Sequence, residues 1–285
     1  MRRAGELTVR LSGAAAAAIV TLLCAGFPCV ARGDVREQLV ASGCSVTNVG
    51  YLTDLAADYE KLTGVKMFVR GGGSVIGLED LVTGTSDFAA SCRGPLPDDP
   101  AGIEFVQVAW DALVFIAHPT NPVLSLSFAQ AAQIYQGIVK DWGQLQGPAG
   151  PITVFLQRPT KGLSGVENSI RTQVLRGGSP AAGPNVSELA STGIVEQLVE
   201  KTPGSFGASG FSSARKRAVT MLAVDGVKPT KQAIVDGSYP LRRPLYLILK
   251  KPVKPGVRAF LDFTLSRQGQ DLISSYGAIS LREMR

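Results

Sequence analysis

Short apolar segments alternate with amphipathic segments along most of this chain. Apolar residues recur at three-and-four spacing over 51–59, which predicts a helix that Gly64 would end as a C-cap. Strand-like segments at 40–42 and 66–70 flank this helix. Such an order of strand, helix and strand is typical of an α/β fold with largely parallel sheets.

The same alternation continues to the end of the chain. A stretch rich in Gly, Pro and Ser at 176–187 predicts a loop. The remaining predicted strands are 87–91, 105–109, 112–117, 152–156, 207–211, 219–223 and 245–249, and the remaining predicted helices are 75–83, 128–135, 166–175, 191–201 and 256–274.

Two of these strands, 112–117 and 245–249, are continuously apolar, as fully buried strands are. The chain is also longer than one hydrophobic core usually serves, so we expect two lobes. If these strands are the passes between lobes, the chain begins and ends in the same lobe. This assigns 34–111 together with 244–285 to lobe 1, and 112–243 to lobe 2.

The N-terminus has the pattern of a secretory signal peptide. Arg2, Arg3 and Arg10 precede a small and apolar run from 11 to 27. The run is short for a membrane span and has no basic flank after it. We therefore predict a signal peptide at 1–31, cleaved after 31 or 33, and a periplasmic or secreted protein. A retained anchor helix is the alternative.

Charge argues against a nucleic-acid partner. Removing 1–31 takes away three Arg and one Glu, which lowers the formal net charge from +6 to +4. The other basic residues are scattered, with short clusters only at 215–217 and 242–243. Nucleic-acid-binding proteins usually carry a denser basic face with interleaved aromatic residues. A mild positive field instead suits an anionic ligand.

Cys44 and Cys92 are the two cysteines that remain after the predicted cleavage. A pair of cysteines in an exported protein usually forms a disulfide where the geometry allows it. Two buried free thiols are the alternative.

Three turns of small residues, at 43–47, 71–74 and 161–165, each lead into a predicted helix. The first turn of a helix has unpaired N–H groups and the positive end of the helix dipole, so it binds anions readily. Hydroxyl groups of Ser45, Thr47, Ser74 and Ser164 could add donors without adding charge. Converging turns would form a cage for one small oxyanion, whereas separate turns would be ordinary N-caps.

The motifs of common enzymes do not match this sequence. Ser164 has no glycine two residues after it, as a nucleophile elbow requires. The glycines at 71–77 lack both the Lys-Ser/Thr of a P-loop and the last glycine of a dinucleotide fingerprint. His118 is the only histidine, which leaves no pair for a zinc site. We expect no catalytic residue, no metal and no cofactor.

The order of several motifs resembles that of the periplasmic phosphate-binding proteins of ABC importers, over nearly all of the chain after the signal. The resemblance implies a type II periplasmic-binding fold, in which two α/β lobes close on a ligand in the cleft between them. The motifs are GGGS (71–74), GTSD (84–87), SCR (91–93), NPV (121–123), IYQG (134–137), DW (141–142), GPAGPI (147–152), LAVDGVKPT (222–230), GSYPLRRPLY (237–246) and FLDFTLSRQGQ (260–270).

The same resemblance implies the residues of the anion site. Arg158 can direct a forked guanidinium at two oxygens. Asp87 can accept from a protonated oxyanion such as phosphate, but it would repel an unprotonated dianion such as sulfate. Arg93 could face the cleft or pair locally, and the family places Cys44 and Cys92 at the cleft. The implied ligand residues are Ser45, Val46, Thr47, Ser74, Asp87, Arg93, Arg158, Ser164 and Gly165.

Two departures from the family pattern affect the ligand. The third turn reads RPTKGLSGV at 158–166, one residue longer than the family's usual Arg-x-x-Gly-Ser-Gly-Thr. Val166 stands where the family has a Thr hydroxyl, and Lys161 is a candidate replacement donor. Cys44 stands where a small hydroxyl residue is common. We therefore predict a small oxyanion, with phosphate as the leading ligand.

The predicted function is capture of that oxyanion by a monomeric solute-binding protein. Such a protein passes its ligand to an ABC permease in the membrane and does no chemistry on it. The alternative is an anion-responsive sensor or interaction subunit that uses the same cleft without transport.

Overall fold

The computed structural model describes residues 38–158 and 164–284. The predicted signal peptide at 1–31 and the candidate donor Lys161 lie outside the described residues. Among the helices of the described ranges, none is both long enough and apolar enough to cross a lipid bilayer.

The strands form one large mixed sheet and one small pair. In chain order they are β1 (Gln38–Gly43), β2 (Lys66–Gly71), β3 (Phe88–Ser91), β4 (Ile103–Ala117), β5 (Ser125–Leu126), β6 (Thr153–Gln157), β7 (Val186–Leu189), β8 (Ser205–Gly210), β9 (Thr220–Met221), β10 (Ala223–Val224), β11 (Arg242–Lys250) and β12 (Ile279–Ser280). The large sheet has the order β2-β1-β3-β11-β4-β8-β6-β7, with β9 and β12 also paired to β4, and β5 pairs with β10.

Helices connect most of these strands. In chain order they are α1 (Ser45–Thr47), α2 (Thr53–Thr63), α3 (Ser74–Thr83), α4 (Phe128–Tyr135), α5 (Gly165–Ser169), α6 (Thr192–Lys201), α7 (Phe211–Ala214), α8 (Lys231–Val235), α9 (Pro255–Leu265) and α10 (Arg267–Tyr276). A π-helical segment Asn48–Leu52 joins α1 to α2, another, Ile170–Val174, extends α5, and Trp142–Leu145 forms a 3₁₀ turn.

Local sequence signals explain where several helices begin and end. Gly64, in the left-handed conformation at φ 77°, ends α2 as predicted. Ser127 begins α4 through a capping box with Gln130. Ser266 accepts a hydrogen bond from the N–H of Gly269 and so begins α10. The single helix predicted over 256–274 is therefore two helices.

β4 is the long strand that joins the two parts of the large sheet. Its first part pairs antiparallel with β11, from Ile103 opposite Lys250 to Ala112 opposite Arg242. Its last part, from Leu113 onward, pairs antiparallel with β8. The strands predicted at 105–109 and 112–117 are therefore one strand.

The direction of the strands differs between the middle and the outer parts of the sheet. β1 pairs parallel with β2 and β3, and β6 pairs parallel with β7 and β8. β11 is antiparallel to both β3 and β4, because the chain returns through the middle in the opposite direction. The predicted parallel pairing holds outside these central strands only.

Two groups of aromatic rings fill the core. In one, Phe260 packs against Tyr59 and Phe88, with ring centroids 5.1 and 5.2 Å apart. In the other, Phe206 packs against Phe115 and Tyr135 at 5.8 and 5.3 Å. The first group belongs to the β1–β3 side of β4 and the second to the β6–β8 side, so each side has its own buried aromatic centre.

Candidate functional site

The carboxyl ends of β1, β2 and β3 lie side by side at one edge of the sheet, and their turns are hydrogen-bonded to one another. The N–H of Gly73, after β2, donates to the carbonyl of Gly43 at 2.9 Å. The N–H of Cys44, after β1, donates to the carbonyl of Ala90 in β3 at 2.9 Å. Ligands of open α/β sheets bind at this edge.

The turn after β2 places Ser74 at this edge. Gly73 is the N-cap of α3 and has φ 112°, a conformation that residues with side chains rarely adopt. Ser74 begins α3, is fully buried, and its hydroxyl has no hydrogen-bond partner among the described residues. The first N–H groups of α3 have no acceptor within the helix either. Several buried donors therefore meet at the start of a ten-residue helix.

Ser164 holds the corresponding position at the start of α5. It is the N-cap of that helix and is 1% exposed, and the part of the chain described offers its hydroxyl no partner. A Cβ built on Gly73 would lie 3.9 Å from the Cβ of Ser164. The two buried hydroxyls thus come from turns that touch each other, although these are far apart in the sequence.

Gly165 packs directly against Cys92, the residue that follows β3. A Cβ at position 165 would overlap the Cys92 sulfur and lie 2.9 Å from its carbonyl carbon. Glycine is required here because any side chain would push the start of α5 away from the end of β3.

The first turn completes the edge. Ser45 is half-buried, and its Oγ lies 3.5 Å from where a Cβ of Gly71 would stand. Val46 and Thr47 are buried, and Val46 packs against Gly210 of β8. The amide of Thr47 lies against the sulfur of Cys44, and its buried hydroxyl has no hydrogen-bond partner among the described residues. Residues 45–47 are thus in the predicted region.

Cys44 and Cys92 lie side by side as two free thiols, in place of the predicted disulfide. Both are buried, and a hydrogen bond joins them. Burial opposes ionisation of Cys44, but the bond from Cys92, the charge of Arg243 and the contacts with Thr47 outweigh it and lower its pKa to about 6. The same hydrogen bond raises the pKa of Cys92. The contacts around the pair therefore favour ionisation of Cys44 over ionisation of Cys92.

A buried ion pair adjoins the thiols. Arg243 of β11 faces Asp111 of β4, with 3.3 Å between Nη2 and Oδ2 and side chains 2% and 0% exposed. The guanidinium also approaches the Gly165 carbonyl at 3.4 Å and the Ser169 hydroxyl at 3.3 Å. Burial alone lowers the pKa of Arg243, but the negative charges of the cysteine pair and of Asp111 outweigh this and raise it. The cation thus helps to fix the start of α5.

Sequence reasoning missed this ion pair. A charged residue inside an apolar strand was the available signal, because Arg243 and Asp111 both interrupt apolar segments. The two are 132 positions apart, so no local pattern links them.

Arg158 directly follows β6 and is exposed. Its N–H donates to the carbonyl of Leu189 at 2.7 Å. The preceding Gln157 is buried, and its Nε2 lies 2.9 Å from where a Cβ of Gly73 would stand. The backbone at Arg158 is therefore next to the turns of the candidate site, while its role as a ligand stays a prediction. The rest of this turn, 159–163, lies outside the described residues.

Asp87 lies at the opposite end of β3 from the site, which corrects its assignment as a ligand residue. One carboxylate oxygen accepts from the N–H of Val40 at 2.7 Å, and the other pairs with Lys254 at 2.6 Å. Asp87 precedes β3, whereas Cys92 follows it. A strand rises about 3.3 Å per residue, so the two are on the order of 15 Å apart. Asp87 fastens β3 to its neighbours and does not reach the turns.

Arg93 pairs locally, which is one of the two arrangements that the sequence left open. Its guanidinium donates to both carboxylate oxygens of Asp99, at 2.6 and 2.8 Å, and to the Gly94 carbonyl at 2.8 Å. Burial pushes the pKa of Asp99 upward, but the bonds from Arg93 and the Leu96 amide outweigh it and lower the pKa. Arg93 therefore holds the loop after β3 in place.

Known proteins resemble this chain over most of its length. A family model described as a PBP superfamily domain matches residues 30–268. The phosphate-binding protein PstS of Borreliella burgdorferi is 26% identical over 260 residues, which cover 87% of this chain and 91% of that protein. PstS of Bacillus subtilis is 27% identical over 263 residues, with 90% and 85% covered.

A solved structure extends the likeness to three dimensions. It is the X-ray structure, with bound phosphate, of a Clostridium perfringens protein assigned as a phosphate ABC transporter substrate-binding protein. The two chains are 27% identical with a TM-score of 0.77, and the match covers 86% of this chain and 100% of the other. These matches confirm the predicted two-lobed α/β fold class.

Proposed function

The chain belongs to the family of PBP superfamily domains, and from this premise we propose that it is a solute-binding protein that captures phosphate or a related small oxyanion. It acts outside the cytoplasm, after cleavage of the signal at 1–31, and delivers its ligand unchanged to an ABC permease. Support comes from relatives named as phosphate-binding proteins and from the Clostridium perfringens protein solved with phosphate.

The pair of buried hydroxyls at Ser74 and Ser164 carries the proposal. Each lacks a hydrogen-bond partner among the described residues, and their turns are in contact. A buried polar group without a partner costs about 1–3 kcal/mol, so two such groups side by side indicate a polar ligand between them. Both lie where helix N-termini direct N–H groups, which selects an anion.

Arg158 is the proposed source of charge for the ligand. Its backbone lies beside Gln157 and Gly73 at the same edge, and its side chain is exposed. Arg243, although closer to the thiols, already neutralises Asp111. A guanidinium that binds two oxygens attracts any tetrahedral oxyanion, whether or not it carries a proton. The Arg158→Ala variant should therefore bind all tetrahedral oxyanions more weakly.

Calorimetric titration of residues 32–285 with phosphate, arsenate and molybdate tests the proposal. We expect one site per chain, and a loss of at least about hundredfold in affinity in the Ser74→Ala/Ser164→Ala double variant, since each bond to a charged ligand contributes about 1.5–3 kcal/mol. Ser86→Ala is the matched control, because Ser86 also has a buried hydroxyl without a partner but lies beside Asp87. Absence of binding, or an equal loss in the control, would refute the proposed site.

We extend the proposal to the lobes and the assembly. The lobe boundaries, 34–111 with 244–285 and 112–243, agree with the change of partner strand between residues 112 and 113 of β4. A monomer that closes on its ligand should show one chain by light scattering and a smaller radius of gyration with phosphate by X-ray scattering. Transport is tested by phosphate uptake in cells that lack the gene.

A further inference from the structure

The turns at the ligand edge contain hydroxyl, amide, thiol and basic groups, but their sequences contain no carboxylate. In the described residues they read CSVT at 44–47, GGGS at 71–74, SC at 91–92, R at 158 and SG at 164–165. A carboxylate that contacts the ligand would therefore have to come from a neighbouring element.

Asp111 is the first such neighbour, and both of its oxygens are engaged. One accepts from the N–H of Ser212 at 2.8 Å, and the other pairs with Arg243 at 3.3 Å. Its side chain is 0% exposed, and it is locked between β4, β11 and the start of α7. Its charge is balanced within the protein.

Glu167 is the second neighbour, two residues after Gly165. It accepts from the backbone N–H of Ser164, and its carboxylate lies 3.8 Å from Arg171. Its Oε2 is buried without a partner among the described residues, and the side chain lines a cavity of about 110 Å³ together with Phe155, Ile170 and Glu188. Glu167 thus closes the first turn of α5 and faces this cavity.

Cys44 is a third group near these turns that can carry a negative charge, and local donors contact its sulfur. Burial opposes its ionisation, but the Cys92 thiol, the charge of Arg243 and the amide of Thr47 help to lower its pKa to about 6. A sulfur that already accepts these bonds does not offer a free acceptor to a ligand proton.

A carboxylate at the ligand favours an oxyanion that carries a proton and repels one that does not. The contacts described above supply donors to the oxyanion, bind Asp111 to Ser212 and Arg243, and direct Glu167 to the first turn of α5 and its cavity. We propose that this site binds tetrahedral oxyanions whether or not they carry a proton, so that it binds sulfate as well as phosphate. This inference rests on the proposed function, and it names the ligand class of the same site.

Titration of the wild-type protein with sulfate and with phosphate at pH 8 gives the first test. Removing one partner of a buried charged hydrogen bond changes affinity by about thirtyfold or more, so we expect the two affinities to differ by less than about thirtyfold. A larger preference for phosphate would overturn the inference and leave the proposed function intact. Binding of neither anion would refute the proposed function and this inference with it.

The Cys92→Asp variant gives the second test, because it installs the missing carboxylate where β3 meets Gly165. We expect sulfate affinity to fall at least about thirtyfold more than phosphate affinity. Cys92→Asn is the matched control, since it has the same shape without the charge, and it should keep the wild-type ratio. An unchanged ratio in a folded Cys92→Asp protein would overturn the inference. If that variant does not fold, the wild-type ratio decides.

Discussion

The two ends of β3 place a polar side chain in different surroundings. At its start, Asp87 is paired with an exposed lysine, Lys254, and with the backbone of Val40. At its end, Cys92 lies against Gly165 and Cys44 and close to Arg243. At the first end the charge of Asp87 is balanced within the protein, and only the hydroxyl of the neighbouring Ser86 is buried without a partner among the described residues. The second end adjoins buried hydroxyls that have no partner in the described residues.

This difference follows from the direction of the strand. In a parallel βαβ arrangement the helices begin at the carboxyl ends of the strands, so unpaired N–H groups gather there and not at the amino ends. A polar residue one position before β3 and another one position after it therefore meet different surroundings. Their place relative to the strand decides their role more than their chemical type does.

Removing the basic side chain near each end of β3 should give the largest difference in unfolding free energy. Arg243→Met leaves Asp111 buried without its partner, and loss of one member of a buried pair typically costs about 3–5 kcal/mol of unfolding free energy. Lys254→Met breaks a pair whose lysine is 65% exposed, and such pairs contribute about 0–1 kcal/mol. Urea denaturation of the two variants measures both effects. Equal losses would remove the contrast between the two ends.

Adding one methyl group should give the next effect. Gly165→Ala places a Cβ against the Cys92 sulfur, and overpacking of this kind costs about 1–3 kcal/mol. It should also weaken oxyanion binding, because it displaces Ser164. Gly150→Ala is the control, since a Cβ there meets no atom within 4 Å. Thermal unfolding and calorimetry together measure both properties, and a Gly165→Ala protein as stable and as active in binding as the control would contradict the close contact.

A smaller effect concerns the pH dependence of binding. Because the pKa of Cys44 is lowered to about 6, the thiolate forms as pH rises from 5 to 7 and adds a negative charge beside the site. Sulfate affinity should therefore fall over this range, on the order of tenfold for one partly screened charge. Cys44→Ser should abolish the fall. Sulfate is the probe because it does not titrate here, and a flat wild-type profile would place the thiolate elsewhere.

The smallest effect is expected at the start of β3. Asp87→Asn keeps an acceptor for the Val40 N–H and loses the ion pair with Lys254. Oxyanion affinity should stay within about twofold of wild type, and unfolding free energy should fall by about 0–1 kcal/mol. Calorimetry of Asp87→Asn with phosphate checks the first value. A selective loss of phosphate binding would return Asp87 to the site.

Much of the fold follows from local patterns. The helix predicted over 128–135 is α4, Phe128–Tyr135, because a serine cap and apolar spacing mark both ends. Gly64 ends α2 as the pattern predicts. By contrast, the sequence pattern did not predict β7, which begins within the loop rich in Gly and Pro. An edge strand of four partly exposed residues has only a weak apolar pattern.

The predictions failed where the structure depends on pairing between residues far apart in the sequence. β4 was divided into two predicted strands because Asp111 interrupts its apolar run, and the neutralising Arg243 lies 132 positions away. The predicted turns do place Ser74 and Ser164 at the starts of α3 and α5, since helix starts are local features. Asp87 was misplaced because a motif match does not say which end of a strand faces the ligand.

The position of β11 has a consequence for synthesis of the chain. β11 lies between β3 and β4 in the sheet, although the chain reaches it only at Arg242. Until the ribosome has added that segment, the facing edges of β3 and β4 have no partner, and open strand edges invite pairing with other chains. Completion of this sheet therefore waits for nearly the whole polypeptide, which makes folding late and dependent on contacts between distant segments. Such late completion of the sheet would suit the export that we propose for this chain.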